Sequence, residues 1–157
     1  MASHDHAGDR EFCRAMLPRV SRTFAINIRL LRGSLGEAVR VAYLLCRAAD
    51  TLEDAWPGTA AEIGGRFNRF EAALDGDDGA AADLARGAAA HAGTRPGREA
   101  GGAPAEFVLL EHLPRVLAVQ AALPAGDRAP ILDCARAMAT GMKRYATRAA
   151  GRPQGGS

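Results

Sequence analysis

The chain has 157 residues, enough for one ordinary domain, and 48% of them are hydrophobic, so a sizeable core is possible. Aromatic residues make up only 5% and alanine is abundant, a composition that favours helix over sheet. The net charge of +2 is too small to indicate a nucleic-acid-binding protein, and no apolar run approaches the ~20 residues of a membrane-spanning helix.

The cysteines and the N-terminal segment indicate a reducing compartment. Cys13, Cys46 and Cys134 are widely spaced, and the sequence contains no C-x-x-C pair. Cys46 lies in an apolar run and has the character of a small core residue. The first ten residues, MASHDHAGDR, lack the apolar centre of a signal peptide. We therefore expect a cytoplasmic protein, and peripheral contact with a membrane stays open.

The predicted elements are all helices. Residues 1–9 have the composition of a disordered tail, and residues 10–17 form a short helical segment that Pro18 stops. Ser21 is a good N-cap for the next segment, residues 21–33. The apolar residues of that segment fit both helical spacing and strand alternation, and the helical patterns on either side favour helix.

Two capping boxes mark the start of the next two helices. Ser34 with Glu37 opens a helix over about 34–56, and Thr59 with Glu62 opens another. The second helix has an apolar stripe made of Ile63, Phe67, Phe70 and Leu74.

The second half of the chain has a weak region before two clear helical segments. Residues 75–104 are rich in Gly, Ala and Asp, and predict a flexible insert with one short helix at 80–91. Residues 105–123 predict a helix that Pro114 kinks. An amphipathic helix follows at about 127–149, and its predicted inner face is Ile131, Cys134, Met138, Met142 and Tyr145.

The segment YLLCRAADTLEDAW carries the most informative pattern. Tyr43, Arg47, Asp50 and Asp54 follow i, i+4, i+7, i+11 spacing and share one helix face, with Glu53 beside them. The opposite side is apolar and consists of Val41, Leu44, Leu45, Ala48, Leu52 and Ala55. A solvated face is the ordinary explanation for such a charged stripe. However, like charges one turn apart cost about 0.2–0.5 kcal/mol on an isolated helix.

A bound cation would account for this unfavourable spacing if the stripe faces a cavity. Hard carboxylate oxygens suit Mg²⁺, which takes one or two carboxylates together with water and phosphate oxygens. Arg47, beside the carboxylates, could hold phosphate oxygens bidentately. Arg22 directly follows the Ser21 cap, at a helix N-terminus that favours anions, although a surface arginine fits the same spacing.

The segments LPRVSRTFAINIRLL and VAYLLCRAADTLEDA together resemble the squalene/phytoene synthase family of Mg²⁺-dependent head-to-head prenyltransferases, and D-T-L-E-D is closer to the squalene synthases. The resemblance implies an all-α fold, a partial isoprenoid-synthase-type bundle of about five to seven helices. One domain at 10–149 would lie between the tail at 1–9 and a linker-like tail at 150–157.

The resemblance also implies roles for the charged positions. Asp50 and Asp54 would bind Mg²⁺, with Glu53 in support. Arg22 and Arg47 would contact the diphosphate of a prenyl diphosphate substrate, for which we expect farnesyl diphosphate.

Three further positions match the family around the reacting groups. Ser21 and Phe24 would line the substrate site, and Tyr43 would lie close to the reacting allylic group. The family reaction joins two allylic diphosphates through a cyclopropyl intermediate, which squalene synthases then reduce with NADPH. NADPH would therefore matter only in a complete squalene-forming enzyme.

A second Asp-rich motif, which family members carry, finds no match in this sequence. Asp75, Asp77 and Asp78 lack helical spacing, and Asp127 and Asp133 do not share a helix face. We therefore expect the N-terminal half of a synthase, inactive alone, with a complementing C-terminal chain or a second copy as partner. Two alternatives stay open: a non-catalytic helical module or split-enzyme subunit that binds diphosphate, Mg²⁺ or a partner chain, and an all-α nucleotide pyrophosphohydrolase.

Overall fold

The computed structural model describes residues 6–21, 25, 33–94 and 104–151, and within these ranges the chain forms seven helices and no strand. The predicted all-α fold is therefore confirmed. In chain order the helices are α1 (His6–Val20), α2 (Gly33–Asp54), α3 (Ala60–Leu74), α4 (Asp78–Thr94), α5 (Ala105–Glu111), α6 (Leu113–Ala122) and α7 (Ala125–Ala150).

Helix α2 is the centre of the bundle and contacts α1, α3, α5, α6 and α7. Its predicted apolar side is confirmed, since five side chains on it have no exposed surface: Val41, Leu44, Leu45, Ala48 and Leu52. Burying one leucine side chain stabilises a fold by about 1.5–3 kcal/mol, so this side anchors α2 firmly. On the charged stripe Tyr43, Arg47 and Asp50 are half-buried, and Asp54 is exposed.

Helix α1 is longer than predicted at both ends. Residues 6–9 are helical rather than part of a disordered tail, and the helix continues past Pro18, which is exposed in its last turn. The early start has a clear cause, because Asp9 is buried and accepts a hydrogen bond from Arg115 Nε of α6 at 3.0 Å. This long-range ion pair fastens the first turn of α1 to the bundle.

The capping box predicted at Ser34 is wrong. Helix α2 already begins at Gly33, whose φ of +69° is a left-handed conformation that glycine adopts readily. Ser34 therefore lies inside the first turn. The Glu37 carboxylate instead lies 3.8 Å from Arg10 Nε of α1.

The capping box predicted for α3 is confirmed. The Glu62 amide donates to Thr59 Oγ1 at 3.2 Å, and the Thr59 amide donates to Glu62 Oε1 at 3.1 Å. Helix α4 then occupies much of the predicted flexible insert and exceeds the short helix expected at 80–91. It packs against α3 and α5 through small side chains and one leucine: Ala81, Leu84, Ala85, Ala88 and Ala92. Alanine gives a weak sequence signal for burial, which explains the error.

The predicted kink at Pro114 corresponds to a break between two helices. Helix α5 ends at Glu111, and Pro114 lies in the first turn of α6, where its missing amide hydrogen costs nothing. None of the described helices combines the length and the apolar character needed to cross a membrane.

Helix α7 packs against α2 and α3, and its buried face overlaps the predicted one only in part. Cys134 and Tyr145 are exposed, so their assignment to the inner face is wrong. The buried residues are Ile131, Ala135, Ala139 and Ala146. Met138 and Met142 are half-buried beside them. Ile131, Met138 and Met142 thus lie on the inner side as predicted, while the rest of the buried face consists of alanines that carry a weak sequence signal.

Candidate functional site

Three carboxylates cluster at the C-terminal end of α2. Asp50, Glu53 and Asp54 lie in its last five residues, and its last turn contains no basic residue. The C-terminal end of a helix carries partial negative charge, so a nearby anion is unfavourable by about 0.3–1 kcal/mol. The folded chain therefore tolerates an electrostatic cost here that a bound cation would offset.

Burial adds to this cost. It raises the pKa of Asp50, which nearby Arg47 lowers and the charge of Asp54 raises further. Burial also raises the pKa of Glu53, as do the charges of Asp54 and Asp50. Both carboxyl groups thus hold their protons more strongly than isolated ones, because their surroundings disfavour the charged form.

Arg47 lies between two carboxylates from different helices. Its Nη1 is 3.5 Å from Asp50 Oδ2 on α2, and its Nη2 is 4.0 Å from Glu106 Oε1 on α5. Its Nε is buried and has no hydrogen-bond partner among the described residues. Sequence reasoning missed Glu106, since an acidic residue in the first turn of a helix normally has a local role.

Tyr43 and Cys46 occupy the preceding turn of α2. Tyr43 is half-buried against the core, on the same side as Arg47. The Cys46 thiol donates to Met138 Sδ of α7 at 3.2 Å, and burial raises its pKa to about 11. Cys46 therefore stays a protonated packing residue, in agreement with its predicted structural character.

A mostly apolar groove of about 210 Å³ lies between the first half of α2 and the start of α7, to one side of the stripe. Its α2 wall includes Val39, one turn before Tyr43, and Leu35, whose surface is 56% exposed. Its α7 wall includes Pro130 and Ile131. At 1.5 Å per residue, Val39 lies about 16 Å along the helix from Asp50. Val39 is the groove residue of α2 nearest the stripe on the helical wheel, so the groove adjoins the stripe at this residue.

The remaining predicted site residues come from the segment before α2. Ser21 is half-buried, and its carbonyl accepts a hydrogen bond from the Ala25 amide at 3.1 Å. The Ser21 amide also donates to the Leu17 carbonyl of α1 at 2.8 Å. Arg22 and Phe24 lie outside the described residues, so their predicted positions relative to the stripe stay predictions.

A cluster of four side chains, which we call the Trp56 clamp, fixes the chain just beyond the carboxylates. The guanidinium of Arg66 lies 4.2 Å from the centre of the buried Trp56 ring, and its Nη1 donates to the Trp56 carbonyl at 2.8 Å. Phe107 lies 6.1 Å from Trp56 and 5.1 Å from His91, centre to centre. Because Phe107 follows Glu106, the clamp joins the acidic end of α2 to the start of α5.

The carboxylates fit a metal that protein and substrate share. Among the described residues, no group of three or more His, Cys, Asp or Glu could hold a metal alone. Asp50 and Asp54, one turn apart, offer two carboxylates on one edge. Mg²⁺ commonly takes one or two carboxylates and completes its shell with water and substrate phosphate oxygens. The residues present suit that kind of site.

Comparison with known proteins agrees with the motifs. Residues 17–152 match the model of the family described as squalene/phytoene synthase. The squalene synthase of Dictyostelium discoideum is 40% identical over 50 residues, which cover 32% of this chain and 12% of that protein. The squalene synthase of Nicotiana benthamiana is 51% identical over 43 residues, 27% of this chain and 10% of that protein.

A third relative, squalene synthase BSS of Botryococcus braunii, is 50% identical over 46 residues, 29% of this chain and 10% of that protein. The matched stretches thus span only about a tenth of these relatives. No solved structure matches the chain. The family model, in contrast, extends over most of the sequence, from the end of α1 through α7. The resemblance drawn from the S-R-T-F and D-T-L-E-D segments is therefore confirmed, and the chain belongs to the squalene/phytoene synthase family.

Proposed function

We propose that the chain provides the first diphosphate-binding wall of a head-to-head prenyltransferase. In this proposal Asp50 and Asp54 hold Mg²⁺ against the diphosphate of a prenyl substrate such as farnesyl diphosphate, with Glu53 in support. The supporting observation is the carboxylate cluster at the C-terminal end of α2, in a last turn with no basic residue. Membership of the squalene/phytoene synthase family supports this choice of reaction class.

Each element of the site would then have a chemical task. Mg²⁺, when bound, would stabilise the negative charge of the leaving diphosphate. Arg47 would donate hydrogen bonds to phosphate oxygens from its fork of N–H groups. Ser21, Arg22 and Phe24, from the segment before α2, would complete the phosphate end of the substrate site.

The apolar residues of the neighbouring groove would receive the hydrocarbon. The groove has the chemistry to hold part of a prenyl chain and adjoins the stripe at Val39. Tyr43, between groove and carboxylates, would lie near the reacting allylic carbon. Apolar surroundings keep water away from a developing carbocation, which water would otherwise quench.

The condensation itself needs a second set of carboxylates, for which this sequence contains no matching motif. We therefore propose that the 157-residue chain binds a prenyl diphosphate without joining two of them. A complementing chain or a second copy would supply the facing wall, and reduction with NADPH would belong to the completed enzyme. The alternative of a non-catalytic binding module differs in that no complementing chain would restore product formation.

The chain contains its own probe for this proposal. Trp56 is the one tryptophan of the sequence, two residues beyond Asp54, so its fluorescence should respond to ligands at the carboxylates. We expect farnesyl diphosphate to change the emission in the presence of Mg²⁺ and much less in its absence, with matching heats in calorimetry. No condensation product should form from the chain alone.

The decisive variant is Asp50→Asn. It should abolish Mg²⁺-dependent binding while leaving the helix content, measured by circular dichroism, unchanged. Asp133→Asn, at an exposed position on α7, serves as the matched control and should bind like the wild type. A wild-type chain without Mg²⁺-dependent binding, or an Asp50→Asn variant that binds normally, would refute the proposed metal site.

A further inference from the structure

Glu106 contacts the charged stripe from outside α2. Its Oε1 lies 4.0 Å from Arg47 Nη2, while Arg47 Nη1 lies 3.5 Å from Asp50 Oδ2. Tight charge-assisted hydrogen bonds between guanidinium and carboxylate have lengths of about 2.7–2.9 Å. The Arg47 guanidinium is thus shared between two carboxylates and is held closely by neither.

The position of Glu106 is fixed by its neighbour in the chain. Phe107 is fully buried and contacts Trp56 and His91 in the Trp56 clamp. The backbone at Glu106 therefore stays beside the end of α2, even though the Glu106 side chain itself is 38% exposed. A carboxylate on a firmly packed helix can act on Arg47 without being part of α2.

We propose that Glu106 is a positioning residue that draws Arg47 away from Asp50 and so keeps the Asp50 carboxylate available to a divalent cation. This inference rests on the proposed function. Without Glu106, the Asp50 carboxylate would be the remaining anionic partner seen for Arg47 among the described residues. A guanidinium in full contact with Asp50 would occupy its oxygens and repel an incoming metal.

The same arrangement would serve substrate binding. A diphosphate carries more negative charge than one carboxylate and can accept both N–H groups of the arginine fork. Glu106 would thus hold Arg47 until phosphate oxygens replace it. Its presence should favour Mg²⁺ binding but oppose diphosphate binding when no metal is present, because Glu106 and diphosphate compete for the same cation.

Glu106 should thus affect Mg²⁺ binding and diphosphate binding in opposite directions. A merely structural role would not produce opposite changes in the two dissociation constants. In Glu106→Gln we expect the dissociation constant for Mg²⁺ alone to rise by about two- to fivefold, the range typical of partly exposed ion pairs. The dissociation constant for inorganic diphosphate in metal-free buffer should fall by a similar factor. Trp56 fluorescence and calorimetry would measure both. Glu111→Gln, at the other end of α5, is the matched control and should change neither constant.

A second comparison separates positioning from the simple loss of a negative charge near the metal. In an Arg47→Met background, Glu106→Gln should leave Mg²⁺ binding unchanged, because the residue through which Glu106 acts is gone. A Mg²⁺ effect that persists there would overturn the inference, as would a Glu106→Gln variant that weakens both ligands or matches Glu111→Gln. A wild-type chain that responds to neither ligand would instead overturn the proposed function and, with it, this inference.

Discussion

Replacing Arg66 by methionine should weaken the Trp56 clamp, which holds the C-terminal end of α2 against the bundle. Arg66 is 8% exposed, donates to the Trp56 carbonyl at 2.8 Å and covers the Trp56 ring at 4.2 Å. Methionine keeps the length and helix propensity of the side chain but removes the charge and the hydrogen bonds. The Trp56 carbonyl would lose this donor in a largely buried place.

The size of the effect follows from these contacts. A hydrogen bond with a charged donor contributes about 1.5–3 kcal/mol, and a cation–π contact adds about 0.5–2 kcal/mol. Burial of the guanidinium opposes both, as the lowered pKa of Arg66 shows. The Glu62 contact at 3.8 Å is exposed on the carboxylate side and contributes little. We expect Arg66→Met to lower the free energy of unfolding by about 1–3 kcal/mol.

Urea unfolding, followed by both Trp56 fluorescence and circular dichroism, would measure this change. Arg69→Met is the matched control, since Arg69 lies one turn further along α3 and is exposed. It should stay within about 0.5 kcal/mol of the wild type. If Arg66→Met unfolds at the same urea concentration as Arg69→Met, the Trp56 clamp does not stabilise the end of α2 and this reasoning is refuted.

Two further predictions concern the same end of α2. In Gly87→Ala the new Cβ would lie 3.1 Å from Trp56 Cη2, so the ring would have to shift by a few tenths of an ångström. Overpacking costs about 1–3 kcal/mol, and alanine inside a helix returns about 0.5–1 kcal/mol, so we expect a net loss of up to about 2 kcal/mol in urea unfolding; a variant more stable than the wild type would show that the ring moves freely. The raised pKa of Asp50 and Glu53 makes the folded state bind protons more tightly than the unfolded state. These two groups should therefore stabilise the fold as pH falls through their raised pKa toward the ordinary carboxyl range. Mg²⁺ binding should weaken over the same pH interval. Urea and Mg²⁺ titrations at a series of pH values would measure both, and a stability contribution that falls with pH in step with the Mg²⁺ affinity would contradict this.

The parts of the site that lie within one helix could be predicted from the sequence. Tyr43, Arg47, Asp50 and Asp54 share a face because helical spacing alone places them there, and the apolar side opposite them is confirmed. Contacts between helices could not be predicted in this way. Glu106 is far from Arg47 in the sequence, so their proximity depends on how α5 packs against α2.

The errors in the predicted fold have a related cause. Pro18 predicts an early end of α1 from its local effect alone, whereas the helix continues to Val20. Apolar character predicts Cys134 and Tyr145 on the inner face of α7, whereas Ala135 and Ala139 are buried there. Helical periodicity places Ile131, Met138 and Met142 on the inner side, but among small residues it does not indicate how far the buried face extends.

The alanine face of α7 also affects how this bundle can be studied by mutation. Ala135, Ala139 and Ala146 are buried where α7 meets its neighbours, so there is no larger side chain at these positions to remove. Alanine scanning measures the stability lost when a larger side chain is truncated, so it gives no information at these positions of the interface. Only enlarging substitutions can report on it, because an added methyl group has to push two backbones apart. The small volume of these alanine side chains thus sets how closely α7 can approach its neighbours.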